Sequence, residues 1–238
     1  MLAMDFQSPL FWAVLLAWIL TVVLHEFAHG LVAYMGGDYT IAERGGLTLN
    51  PLAYVDPFFS LLMPAVLLLL GGIPLPGGVT YIRRDLLRSR LWSTAVSLAG
   101  PGMNLLLFFA FALPFHPRIG WVHPSRSGDW SNYQVLAGAM ALLQLVTVLF
   151  NLVPVPPLDG FQAIGPYLDA NTRTRLSTPP LSTILFLAFF LVLWKVPGLM
   201  SAVFEYVIVP FLRLLGFGYR EIGFFGHAYN RALFSATD

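Results

Sequence analysis

The sequence predicts an all-α membrane protein: a polytopic bundle of about five to six transmembrane helices, with a short strand-like and re-entrant region after the first span. Three observations carry this prediction. The 238-residue chain is 57% hydrophobic and only 11% charged, where a soluble domain carries about 25% charged residues. Its apolar residues gather into runs that reach or approach the ~20 residues needed to cross a hydrocarbon core. Polar, basic and Gly/Pro-rich segments separate those runs. No stretch is polar and long enough for an appended soluble domain, so residues 1–238 read as a single integral membrane domain, with a core over about 10–170 and C-terminal helices and a tail over about 181–238.

The first span runs from about Leu10 to Tyr34 and stops at Gly36-Gly37. The segment before it lacks a basic n-region and a small-residue cleavage site, so the span reads as retained rather than as a signal peptide. The connection DYTIAERGGLTLNPLAYVDP follows, and its Thr-Ile and Leu-Thr-Leu alternation suggests short strands. Phe58 to Gly72 is apolar but only about 15 residues long and contains Pro64, which suits a re-entrant or tilted segment. A basic loop leads to a second span over about Leu91–Leu113. The polar stretch Phe115–Ser131 carries Trp121 and Trp130 as interface anchors. A third span covers about Val135–Val153. Two further apolar segments, Leu181–Val196 and Leu199–Leu215, are split by Pro197-Gly198, and the aromatic and basic tail suits the membrane surface.

Composition also excludes classes of function. A net charge of +1 gives no reason to expect nucleic acid, and the lack of cysteine removes thiolate ligands and cysteine nucleophiles.

Against that apolar background, His25, Glu26 and His29 stand out within the first span. Residues four apart share one helix face, so both imidazoles can reach one metal ion. Glu26 lies about 100° round the helix from His25, able to serve a water held there without being a ligand. This is the logic of H-E-x-x-H zinc hydrolases: the metal acidifies water, and the glutamate takes its proton and delivers it to the leaving amine. Ionisable groups inside a span point to function rather than to chance.

A catalytic zinc usually has three protein ligands and one open position. NLVPVPPLDGF offers Asp159 as the third. Pro154, Pro156 and Pro157 rule out a regular helix there, and unwound backbone at membrane depth must be buried or line a wet cavity. If the chain has instead left the membrane, Asp159 is an ordinary loop carboxylate. In AGPGMN, Gly100 and Gly102 allow close helix approach. Asn104 then either donates to a substrate carbonyl or oxyanion, or makes an inter-helical hydrogen bond.

Taken together, HEFAHG at 25–30, AGPGMN at 99–104 and NLVPVPPLDG at 151–160 resemble the site-2 protease family of intramembrane zinc metalloproteases. GGLTLNPLAYVDPFFSLLMP further resembles its compact bacterial and archaeal members, without a PDZ-like insert or a nucleotide-sensing module. The resemblance implies one Zn2+ held by His25, His29 and Asp159, with Glu26 as general base and acid. It implies support of the substrate carbonyl by Asn104 and by Asn151. It also implies a substrate that is itself a transmembrane segment, cut in or near the lipid bilayer of a prokaryotic cell membrane. Phe161 departs from the family pattern, which often has a second glycine after Asp-Gly.

A different class, a metal-ion transporter or other non-proteolytic metal-binding membrane protein, would use the same ligands without a general base. It would favour further ionisable groups deep in the spans, where Glu205 alone is evident. Glu205 is also the one deep alternative as a third ligand, and it lacks the neighbouring motif such a site needs.

The ligands must meet at one depth, so the first and third spans must run parallel. That holds if Phe58–Gly72 does not cross. One face then receives ten of the thirteen Lys and Arg residues and the other three, which places the N-terminus outside and the site nearer the cytoplasm. The alternative topology divides them nine against four, so the common depth of the ligands, and not charge, decides. A peptide bond in an intact helix is shielded by its own hydrogen bonds, so the substrate is expected to unwind locally, with Tyr39–Leu49 as the candidate pairing edge.

Overall fold

A computed structural model describes residues 4–62, 77–122 and 130–234 of the chain. The α-helices are α1 (Pro9–Gly36), α2 (Thr40–Glu43), α3 (Arg90–Ala112), α4 (Asn132–Asn151), α5 (Asp159–Ile164), α6 (Ala170–Ser177), α7 (Leu181–Lys195), α8 (Leu199–Val203), α9 (Val209–Leu214) and α10 (Tyr219–Leu233). Among the described residues there is no strand, only an isolated antiparallel bridge between Met4 and Phe234. Three helices are long and apolar enough to cross a membrane: α1, α3 with its 3-10 extension to Phe115, and α4. A fourth span is available if α6 and α7, bent by 65° at their junction, act as one broken span.

Local chemistry sets the helix ends. Ser8 Oγ accepts from Leu10 N at the start of α1. At its end Gly37 has φ +120, and the amides of Gly37 and Asp38 return to the carbonyls of Tyr34 and Ala33. That is the double hydrogen bond of a glycine-terminated helix, which satisfies carbonyls otherwise left bare at a membrane boundary. Inside α3, Pro101 has no N–H to offer the Ser97 carbonyl. The helix survives because lipid and packed neighbours favour internal hydrogen bonding over any alternative. Between α8 and α9 the turns widen to a π form over Phe204–Ile208, just before Pro210. A wider turn accommodates the ring and the missing donor.

The chain divides into two compact units, and α1, α3 and α4 each contribute to both. One holds residues to Trp18, Asn104–Thr147 and those from Met200 onward. Its core is aromatic: Phe115 packs on Phe224 and Phe225, and Phe217 on Phe108 and Phe225. Gly138 of α4 admits α10, since a Cβ there would sit 2.7 Å from Phe224. The apolar face of α10, including Ile222, Phe224, Phe225 and Ala228, is buried. The tail that the sequence assigns to the membrane surface therefore packs its apolar side on protein.

The second unit, Ile19–Met103 with Val148–Leu199, holds the site. Where the sequence suggests short strands, Tyr39–Leu49 opens with the helical turn α2. The reason is local. Buried Asp38 accepts from the Thr40 hydroxyl and from Arg44 Nη2, while Arg44 Nε bonds the Thr40 carbonyl. Side-chain hydrogen bonds of this kind outcompete a weak alternation signal. The first residues of the Phe58–Gly72 segment form a π-type turn, Pro57–Leu62, and the rest lies outside the described residues. The chain on either side of it meets at one place. Asp38 accepts from Arg83 N, Arg44 donates to the Tyr81 carbonyl, and Arg88 N donates to the Gly36 carbonyl. The end of α1 thus lies beside the start of α3.

Candidate metal centre

His25 and His29 occupy successive turns of α1, and both are buried. Their Nε2 atoms are 3.1 Å apart. Asp159 reaches both: Oδ2 lies 3.3 Å from His25 Nε2, and Oδ1 lies 3.3 Å from His29 Nε2. The three residues form a candidate metal group whose donor atoms all lie within 4.8 Å of one another.

Two features of this geometry fit zinc. Tetrahedral ligation at about 2.0–2.1 Å places ligand atoms about 3.3 Å apart, close to the 3.1 Å between the two imidazole nitrogens and the 3.3 Å from each nitrogen to one Asp159 oxygen. His29 Nδ1 also lies 2.6 Å from the Val96 carbonyl oxygen. A carbonyl only accepts, so Nδ1 carries the hydrogen, and in the neutral ring that ligation needs, Nε2 has the lone pair that faces Asp159 and His25. Two nitrogens and one carboxylate, without sulfur, make a donor set of the kind found in catalytic zinc sites.

The surrounding elements explain how residues so far apart in sequence converge. After α4, Val153–Leu158 turns tightly: Val155 N donates to the Val153 carbonyl and Leu158 N to the Val155 carbonyl. Asp159 is then the first residue of α5. Gly160 follows because a Cβ there would overlap the Leu152 carbonyl. Helix α3 braces both halves. Its Val96 carbonyl fixes His29, and two residues earlier the Thr94 hydroxyl donates to the Ala163 carbonyl of α5 at 2.9 Å. Gly100 of α3 lies directly against the imidazoles, where a Cβ would overlap His25 Nε2 and His29 Nε2.

Glu26 is buried on the same turn of α1. The extended segment 77–83 passes beside it: the Thr80 hydroxyl donates to the Glu26 backbone carbonyl at 3.1 Å, and a Cβ at Gly78 would sit 3.0 Å from Glu26 Cγ. Val79 N donates to the Tyr54 carbonyl, and the Ser60 hydroxyl to the Gly77 carbonyl, which anchors that segment. Of the other residues singled out by the sequence, Asn104 is buried on α3, four residues after Gly100, and Asn151 is the half-exposed last residue of α4. Glu205 lies in the π turn before α9, in the other unit. Sequence reasoning missed Thr94, Val96 and Gly78. Val96 acts through its backbone, so its residue type carried no signal.

No family model matches the chain, and no solved structure matches it. Relatives do. A protein of Mycolicibacterium smegmatis assigned as the zinc metalloprotease Rip2 is 39% identical over 164 residues, 69% of this chain and 60% of its own length. The Rip2 of Mycobacterium tuberculosis is 37% identical over 196 residues, covering 81% and 70%. YwhC of Bacillus subtilis, also assigned as a zinc metalloprotease, is 32% identical over 206 residues. The chain spans about three fifths of the first of these and 90% of the last. Identity of this extent, in a helical chain whose buried histidines and distant aspartate already form a zinc-type donor set, places it: the chain belongs to the site-2 protease family of zinc metalloproteases.

Proposed function

We propose that the protein is an intramembrane zinc metalloendopeptidase that cleaves transmembrane segments of other membrane proteins. The observation that carries this reading is the convergence of His25, His29 and Asp159 beside a buried Glu26 on a membrane-length helix. The three ligands hold zinc, which when bound supplies Lewis acidity and makes water acidic enough to attack at neutral pH.

The rest is the work of the chain. Glu26 accepts the proton of the attacking water and returns it to the leaving amine nitrogen. Asn104 donates an amide N–H to the substrate carbonyl as charge develops on its oxygen, and Asn151 assists from the end of α4. A helical substrate hides its peptide bonds in its own hydrogen bonds, so it unwinds and pairs as a strand with exposed backbone just beyond the metal helix. Burial of the site keeps the carboxylate away from lipid and the reaction away from bulk water.

The bundle completes five to six spans, with the N-terminus outside and the site nearer the cytoplasm. Phe58–Gly72 enters and leaves on one face, a reading supported by the contacts that join the end of α1 to the start of α3.

Glu26→Gln tests the proposal. It keeps size and removes the base, so cleavage of a co-expressed membrane substrate falls by about a hundredfold or more while bound zinc is retained. Undiminished cleavage would refute the protease reading and favour metal transport, which needs the ligands and not the base.

A further inference from the structure

Away from the metal centre, an open hollow of about 520 Å³ lies where the chain enters α3 and where α5 gives way to α6. Arg84, Arg90 and Arg173 line it, together with Ser89, Ser93 and Asp169. Arg84 is half-buried and uses Nη1 on the Ser93 carbonyl and hydroxyl, at 3.2 and 2.8 Å. Arg173 lies across Gly165, where a Cβ would meet its Nε at 3.5 Å. Among the described residues neither guanidinium has a carboxylate within ion-pair distance, and the Arg173 side chain makes no hydrogen bond.

The charges there are poorly balanced. Burial, then the Arg173 guanidinium, pull the Arg84 pKa below the ordinary arginine value, against a smaller opposing pull from Asp159. Arginine nevertheless stays protonated. Asp169, the one carboxylate lining the hollow, is engaged as the cap of α6, accepting from Thr172 N at 2.9 Å. The positive N-terminal ends of α3 and α6 add to the field.

Chain neighbours of the lining residues are apolar and exposed: Leu91, next to Arg90, is 72% exposed, Tyr167, between Pro166 and Leu168, is 55% exposed, and Ile164, two residues before Pro166, is 43% exposed. Paired guanidinia bordered by bare apolar side chains suit the level where hydrocarbon meets headgroups.

We propose that this hollow binds the phosphate of an anionic phospholipid, with Arg84 and Arg173 as joint donors and the acyl chains along Leu91, Ile164 and Tyr167. Guanidinium forks match phosphate oxygens, and basic pockets between membrane helices are a known form of headgroup site. The proposal depends on the membrane setting and is independent of proteolysis. Arg84 is bonded to Ser93, the residue just before Thr94 and three before Val96, which brace Ala163 and His29, so the lipid adjoins that brace.

The test is native mass spectrometry of the purified full chain, offered phosphatidylglycerol and phosphatidylcholine in equal amounts and, separately, inorganic phosphate. Wild type is expected to retain one phosphatidylglycerol over phosphatidylcholine by about tenfold. Arg173→Gln reduces that preference severalfold, the pair Arg84→Gln with Arg173→Gln removes it, and lysine at both positions keeps most of it. Because the Arg173 side chain bonds nothing within the described protein, its single replacement leaves the melting temperature in phosphatidylcholine unchanged, which separates lost binding from lost fold. Equal retention by wild type and Arg173→Gln overturns the proposal. So does arginine-dependent binding of inorganic phosphate without phosphatidylglycerol, which assigns the hollow to a soluble anion. A loss of cleavage of acid-flanked substrates in Arg173→Gln with unchanged lipid retention also overturns it, in favour of a substrate carboxylate.

Discussion

Gly100 sets how closely α3 approaches the two imidazoles. With no Cβ it leaves the Nε2 atoms of His25 and His29 clear, and even one methyl would overlap both. Gly100→Ala therefore displaces the two imidazoles rather than merely crowding them. Zinc bound per chain, measured by atomic emission, is expected to fall at least tenfold, while Gly102→Ala, whose Cβ position has nothing within 4 Å, keeps it. Much at this scale was legible in the sequence. Two histidines and a glutamate at helical spacing in an apolar run are costly unless used, and a triple-proline turn made Asp159 an available third donor. The Val96 carbonyl and the Thr94–Ala163 bond were not legible, because they depend on which turn of α3 faces α1 and α5, and that is a property of packing.

Elements connect these residues, and α1 and α3 are joined at one end. Asp38, fully buried after the α1 stop, holds Thr40, Arg44 and the backbone of Arg83 together. Removing a buried carboxylate strands its donors. Asp38→Ala is expected to cost about 2–3 kcal/mol, less than the roughly 3–5 kcal/mol of a fully buried pair, because the Arg44 side chain is 40% exposed. The melting temperature should fall accordingly, and an unchanged value would show that the staple is idle. The long helices could be read closely from the sequence: α1, α3, α4 and α7 follow long, predominantly apolar runs bounded by Gly, Pro or polar residues. The strand expectation for Tyr39–Leu49 rested on a few alternating residues. It gave way to side-chain hydrogen bonds around Asp38 that the alternation pattern does not encode.

For the whole molecule, composition alone placed the chain in a membrane, and three helices of membrane-crossing length agree with it. The number of further spans depends on the broken segments from α6 onward, where prolines interrupt runs that a composition window reads as continuous. The proposed topology makes a direct expectation. Single cysteines replacing Glu43 and Asp85 label from one side of the membrane, and one replacing Arg118 labels from the other. Labelling of Glu43 and Asp85 from opposite sides would mean that Phe58–Gly72 crosses.

At the centre of the molecule's proposed chemistry, two histidines of the first span meet an aspartate from beyond the third in one assembly. Zinc content of the purified chain tests it most directly. One zinc per chain is expected in wild type and in Glu26→Gln, and less than about a tenth of that in His29→Ala and in Asp159→Ala, since each loses one of three ligands. Full zinc in Asp159→Ala would contradict the assembly.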